Sequence, residues 1–194
     1  MNKNQRVVIL SAPSGAGKST LAAHLYECFP QLTLSVSATT RPLRGEEIEG
    51  REYYFLSNTE FDEKIRQDAF VEWEEVYQGV RYGTLRTELE RIWERGGTIL
   101  FDVDVQGGLR LKRIFEEQAL SIFIQPPSLE ALRERLEKRG TDSKESIQKR
   151  VDKAEKEMGF APSFDAIVVN NVLEDAKTNI EKVAGRFLDD VGKC

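Results

Sequence analysis

Histidine is almost absent: the chain has one, His24, in 194 residues. Neither a histidine-based metal site nor a histidine-based catalytic triad is therefore expected. His24 is expected to be structural. Cysteine is nearly as scarce. Cys28 and Cys194 are far apart, too few for a disulfide framework or a zinc cage, so the reducing cytoplasm is the expected setting. No apolar run approaches the roughly 18–20 residues that cross a bilayer, and no membrane partner is expected. The opening residues, Met1-Asn2-Lys3-Asn4-Gln5-Arg6, lead straight into a strand-like run without signal-peptide architecture. Basic charge is outnumbered, 28 Lys and Arg against 33 Asp and Glu for a net charge of −5, which argues against a nucleic-acid partner. There is no internal repeat and no low-complexity linker.

What is present reads as a soluble globular domain. Hydrophobic residues make up 40% and charged residues 31%, and the length suits one domain carrying small insertions. Short, nearly continuous apolar runs at 6–10 ("RVVIL"), 98–103 ("TILFDV"), 120–124 ("LSIFI") and 166–169 ("AIVV") predict strands buried on both faces. Helical spacing follows them: Leu21, Leu25, Cys28 and Phe29; then Leu129, Leu132 and Leu136 behind Ser128 as N-cap; then Ile180, Val183, Ala184, Phe187 and Leu188. Strands alternating with helices predict an α/β fold, a parallel sheet flanked by helices. Residues 35–96 break the rhythm with short aromatic β-like pieces and are expected to be an inserted mixed α+β subdomain. The basic stretch 133–153 reads as a mobile helical flap.

Residues 11–20, "SAPSGAGKST", approach the phosphate-loop pattern G-x-x-x-x-G-K-[ST], with Ala12 in the first glycine position. Gly15 and Gly17 allow backbone N–H groups to turn inward as an anion nest. The following helix adds its N-terminal dipole. Lys18 supplies a mobile positive charge for the β- and γ-phosphates, and Ser19 a hydroxyl for Mg²⁺. A methyl at position 12 is tolerable if φ stays negative. A strand before the loop and a periodic helix after it are the context the motif requires.

A second anion site is suggested by Arg41 and Arg44, whose guanidinium forks suit multidentate phosphate binding. Tyr53 and Tyr82 offer O–H donors nearby. Taken alone, this stretch reads equally as a solvated charged loop. Asp102 and Asp104 end a strand, where ligands of open α/β sheets gather; N-capping of the next helix is the competing role. Arg135 and Arg139 share a helical face, with Arg150 on the next helix, and arginines stabilise charge in phosphoryl transfer. Arg133, Lys138 and Lys149 read as a salt-bridged solvent face.

In order along the chain, "APSGAGKST", "SVSATTRPLRGEEIEGREYYF", "FVEWEEV", "RYGT", "LFDVDVQGG", "PPSLEALRERLEKRGTDS", "IQKR" and "VVNN" resemble the guanylate kinases over nearly the whole length. The resemblance implies Mg²⁺-dependent transfer from ATP to GMP. It implies a core at about 1–34, 97–130 and 160–194, a GMP-binding insertion at about 35–96 and a lid at about 131–159. Carried over by position, ATP would meet Ala12, Pro13, Ser14, Gly15, Ala16, Gly17, Lys18, Ser19, Thr20 and Asn170, the last equally suited to capping a loop. Ser37, Glu72, Thr84 and Asp104 would read guanine, and Arg41, Arg44, Tyr53 and Tyr82 would hold the GMP phosphate. Lys18, Arg41, Arg135, Arg139 and Arg150 would be catalytic, with Mg²⁺ near Ser19 and, through water, Asp102.

Chemistry supports the guanine assignment. Guanine presents a ring N–H and an exocyclic amine side by side, and an ionised carboxylate accepts from both, so Glu72 suits it. A solvated charge on an edge strand is the bland alternative. Two departures stand out: the glycine of Leu43-Arg44-Gly45-Glu46-Glu47 sits one place early, and the loop between Trp73 and Tyr82 is one residue longer than the family pattern. Non-catalytic relatives that grip phosphopeptides would be expected to lose the loop lysine or the lid arginines, and all are present here. A kinase acting on another nucleotide or a ribose phosphate fits the Ser37, Glu72 and Asp104 set less well. Monomer and homodimer are both open.

Overall fold

The structure, a computed structural model, describes residues 5–140 and 143–189. Residues 1–4, 141–142 of the basic flap, and Cys194 at the C-terminus lie outside the described residues. The order runs β1 (Val7–Ser11), α1 (Lys18–Cys28), β2 (Leu32–Leu34), β3 (Ala38–Thr39), β4 (Tyr54–Phe55), α2 (Asn58–Arg66). Then come β5 (Phe70–Tyr77), β6 (Val80–Leu85), α3 (Arg86–Glu94), β7 (Thr98–Val103) and α4 (Val105–Phe115). β8 (Ala119–Gln125), α5 (Leu129–Arg139), α6 (Lys144–Met158), β9 (Ala166–Val169) and α7 (Leu173–Asp189) complete it.

The expected parallel sheet has five strands in the order β2-β7-β1-β8-β9, every pairing parallel. β1 explains why its sequence is apolar without alternation. Val8 and Leu10 meet Leu21 and Leu25 of α1 and Ile180 and Ala184 of α7. Val7 and Ile9 pack with Leu89 and Ile92 of α3 and Leu111 and Phe115 of α4. Both faces are covered, so both side-chain phases must be apolar. The edge strand β2 was not among the expected strands. It has three residues, of which only Leu32 is buried, too few for a periodic signal. Cys28 departs from its expected helical stripe: Leu21 and Leu25 are fully buried, but Cys28 is exposed at the end of α1.

Residues 35–96 contain a second, mixed sheet in the order β4-β3-β6-β5. α2 packs on it through Phe61, whose ring stacks on Phe70 at 4.4 Å between centroids. α3, within the same stretch, instead lays Leu89 and Ile92 against the five-stranded sheet. α5 and α6 share a small core of Leu132, Leu136, Ile147, Val151 and Ala154. Among the described residues, no helix is long and apolar enough to cross a membrane.

One buried carboxylate joins the two sheets. Glu88 of α3, 2% exposed, accepts from the Val36 N–H at 2.9 Å and the Tyr54 hydroxyl at 3.1 Å. Arg91 grips it with two bonds of 2.9 and 2.7 Å. Burial pushes the Glu88 carboxyl up, but these donors prevail and hold it below its ordinary value. Glu88→Ala is expected to cost about 2–3 kcal/mol, because it strands three partly buried donors. Urea unfolding would measure it, and an unchanged midpoint would mean that water replaces them all.

Candidate active site

The phosphate loop follows β1. Gly15 and Gly17 take φ values of +93° and +97°, the left-handed region its turn needs. Among the described residues only Asp68 and Glu116 combine a side chain with positive φ, so Ala12 keeps ordinary backbone and its methyl is buried at no conformational cost. Gly17 is required twice over: a Cβ there would sit 2.3 Å from Asn170 Nδ2. No side chain caps the start of α1, which leaves its first N–H groups for an anion. Lys18 Nζ donates to the Val103 carbonyl at 2.8 Å and ion-pairs with Asp102 at the end of β7.

The loop forms one wall of a cleft of about 1040 Å³, at the upper end of the ~300–1,000 Å³ usual for single ligands. Ala12, Pro13, Ser14, Gly15, Gly17, Lys18, Ser19 and Thr20 line it, with Asp102 and Asp104 from the end of β7. Ser37, Arg44, Tyr53, Glu72 and Tyr82 line it from the second sheet and its loops, and Arg135, Arg139 and Arg150 from α5 and α6. Ala16, Arg41, Thr84 and Asn170, also singled out from sequence, are buried behind the wall.

Those four support the wall residues. Thr84 lies opposite Glu72 in the β5–β6 register and donates its hydroxyl to Glu72 Oε1 at 2.9 Å. Arg41 makes a fork with Glu47, with bonds of 2.7 and 2.5 Å, and its guanidinium lies 4.8 Å from the Tyr53 ring centroid. Asn170 donates to the Ala16 carbonyl at 2.8 Å, and its own carbonyl accepts from Arg135 at 2.7 Å. Asn170 therefore ties the phosphate loop to α5. Arg150 donates to Ser14 Oγ at 3.0 Å, linking α6 to the same loop.

The strand-end aspartates take distinct places. Asp104 caps α4 by accepting from the Gly107 N–H at 2.7 Å while still lining the cleft, so capping and cleft position coexist. The close fit beside it explains the paired glycines of "QGG": a Cβ on Gly108 would fall 2.1 Å from Ser11 Oγ.

Charge is distributed unevenly. Burial pushes the Glu72 carboxyl up to about 7, assisted by Asp104 and Glu74 and opposed by Thr84 and Arg110. The Arg41 fork holds the Glu47 carboxyl down at about 2, and the guanidinium itself is raised above its ordinary value. Burial also raises Tyr53 and Glu157.

Several residues in or beside the cleft escaped sequence reasoning. Arg110 of α4 pairs with Glu74 at 2.5 Å and stands 4.0 Å from Glu72. Glu74, Lys153 and Glu157 line the cleft, and so does Lys149, which reads as a solvated charge from sequence. The missed signal is spacing: 149, 153 and 157 recur every four residues beside Arg150, one face of α6. Arg133 and Lys138 do lie away from the cleft, Arg133 donating to Gln148 at 2.7 Å.

The family model described as guanylate kinase matches residues 4–186. A guanylate kinase of Porphyromonas gingivalis is 50% identical over 184 residues, covering 94% of this chain and 98% of that protein. One of Bacteroides fragilis is 49% identical over 183 residues, covering 94% and 90%. A crystal structure of guanylate kinase from Anaplasma phagocytophilum superimposes with a TM-score of 0.75 at 31% identity, covering 94% of this chain and 85% of that one. A glycine-rich loop with its lysine, an Arg44–Tyr53–Tyr82 wall and the buried Glu72 carboxylate meeting in one cleft agree with these likenesses: the chain belongs to the guanylate kinase family, ATP:GMP phosphotransferases that convert GMP to GDP.

Proposed function

We propose that the cleft performs this transfer in line, with ATP on the phosphate loop and GMP against the second sheet. The observation that carries the proposal is the shared cleft: Gly15, Lys18 and Ser19 line it from one side, and Glu72, Tyr53 and Tyr82 from the other. Donor and acceptor phosphates would meet between them.

Glu72, held by Thr84, accepts from the guanine ring N–H and amine, with Ser37 and Asp104 completing the base contacts. Arg41, Arg44, Tyr53 and Tyr82 hold the GMP phosphate. Arg41 must share or release Glu47 to do so, and its position over the Tyr53 ring limits how far it has to move. Lys18 leaves Asp102 for the β- and γ-phosphates. Arg135, Arg139 and Arg150 neutralise charge on the transferring group, and Asn170 keeps the loop in shape. The acceptor is a phosphate oxygen, already anionic near neutral pH, so no strong base is required. Positioning, charge neutralisation and exclusion of water by lid closure suffice.

The donor set beside Lys18 fits Mg²⁺. Ser19 and Asp102 line the cleft with oxygen only, as a hard cation requires, and Asp102 would act through the waters that Mg²⁺ retains. When bound, the ion supplies charge neutralisation on the ATP phosphates. Monomer and homodimer are both compatible with this assignment. A free Cys28 thiol and the scarcity of cysteine fit the cytoplasm.

Incubation with ATP, GMP and Mg²⁺ is expected to yield ADP and GDP in equal amounts, resolved by ion-exchange chromatography. ADP accumulating without GDP would reduce the protein to an ATPase and overturn the proposal.

A further inference from the structure

We propose that His24, Cys28 and Glu181 bind one borderline-soft divalent cation, zinc being the best match, at a site outside the nucleotide cleft. The residues come from two helices. His24 and Cys28 are four apart on α1 and share a face. Glu181 meets them from α7, which packs on α1 through Leu21, Leu25, Ile180 and Ala184. The site lies about 15 Å along α1 from Lys18, ten residues at ~1.5 Å each.

The ligand atoms lie within 4.8 Å of one another. Cys28 Sγ is 3.6 Å from His24 Nε2 and 3.6 Å from Glu181 Oε1. A tetrahedral zinc with bonds of about 2.3 Å to sulfur and about 2.0–2.2 Å to nitrogen and oxygen separates sulfur from each neighbouring ligand by about 3.5–3.6 Å. Both sulfur spacings already have that value. His24 Nε2 and Glu181 Oε1 are closer, at 2.5 Å, because they share a hydrogen bond. Tetrahedral geometry needs about 3.4 Å between them, and the Glu181 side chain, 41% exposed, has room to turn by that margin. Three protein ligands leave the fourth position to water.

The surroundings favour a cation. Cys28 is the last residue of α1, where unpaired carbonyls collect partial negative charge, and no basic residue occupies that last turn. Burial, Glu181 and Glu27 together raise the Cys28 thiol above its ordinary value, with Lys177 opposing them. Lys177 is engaged by Glu174 at 2.8 Å. Binding releases the Cys28 thiol proton to solvent and leaves Cys28 as thiolate, while the His24 ring takes its proton on Nδ1 instead of Nε2, which frees Nε2 from its hydrogen bond to Glu181 for the cation. The cation then fastens the far end of the phosphate-loop helix to α7 and stabilises the fold by mass action.

Chelator-treated full-length protein is titrated with Co²⁺ and then with Zn²⁺. One Co²⁺ per chain is expected, with a thiolate-to-cobalt charge-transfer band in the near ultraviolet that Zn²⁺ abolishes, and Zn²⁺ is expected to raise Tm. Cys28→Ser should lose the band and weaken Zn²⁺ binding at least about tenfold, as should His24→Ala, while Cys194→Ser keeps both properties. Unchanged kinase turnover in Cys28→Ser would show that the variant is folded, since Cys28 does not line the cleft. A wild-type Co²⁺ complex without the thiolate band, or a band that survives Cys28→Ser, overturns the proposal.

Discussion

Replacing Lys18 with alanine is expected to lower kcat by about 10³-fold or more, while GMP affinity stays within about threefold. One oriented donor on developing charge is worth about 10²–10³ in rate, and a cationic side chain on a transferring phosphoryl group about 10³–10⁵. Lys18 is both, and it begins the helix that carries the phosphate loop. GMP is read some distance away, by residues of the second sheet, so its binding has no reason to follow. Nor should the loss reflect unfolding. The Lys18–Asp102 pair is 20% and 25% exposed, and ion pairs of that kind contribute about 1 kcal/mol or less. Lys18→Arg should recover little, because a planar fork does not replace a compact, mobile ammonium. A coupled assay with calorimetric GMP binding separates the two quantities. Turnover near that of the parent would remove the loop from the mechanism.

The second large effect concerns Glu72. Glu72→Gln places an amide N–H₂ where guanine presents donors, so KM for GMP should rise about 10–10²-fold, the worth of a charged hydrogen bond, with a smaller fall in kcat. The pH dependence should change too. With the Glu72 carboxyl raised to about 7 in the free protein, the ionised form that guanine needs is gained as pH rises through 7. kcat/KM should therefore climb over that range in the parent and lose that limb in Glu72→Gln. A limb near pH 6 from the GMP phosphate, whose second pKa is about 6, should persist in both. Stability moves the other way. A carboxyl raised from 4.5 to about 7 on folding adds stability that is complete below pH 4.5 and lost as pH rises through 7. At pH 8 the buried charge therefore costs the fold up to about 3 kcal/mol, and Glu72→Gln should melt higher there by relieving it. A variant that binds GMP as well as the parent and melts at the same temperature would remove Glu72 from guanine recognition and from the pH-dependent stability.

What the sequence revealed follows from how local each signal is. β7 and β9 fall on the expected residues because an apolar run buried on both faces is its own signature. β2, β3 and β4 are two or three residues long, and no period fits in so few positions. The cleft-wall residues were legible where motifs carried them. The supports behind the wall were not. Glu88 gathers Val36, Tyr54 and Arg91, and Arg110 approaches Glu72 and Glu74 from another helix. Those partners are mostly distant in sequence, and nothing in their own neighbourhoods announces them. His24 and Cys28 show a subtler limit. Their spacing of four was visible, but Glu181 reaches them only once α1 and α7 pack.

The central claim is that a carboxylate buried in the second sheet selects guanine for a phosphoryl group delivered by the loop. Turnover of GMP, AMP, CMP and UMP with ATP and Mg²⁺ tests it most directly. A site built on hydrogen bonds to one base should favour GMP in kcat/KM by at least about 10³ over each of the others. Comparable turnover of AMP would contradict it.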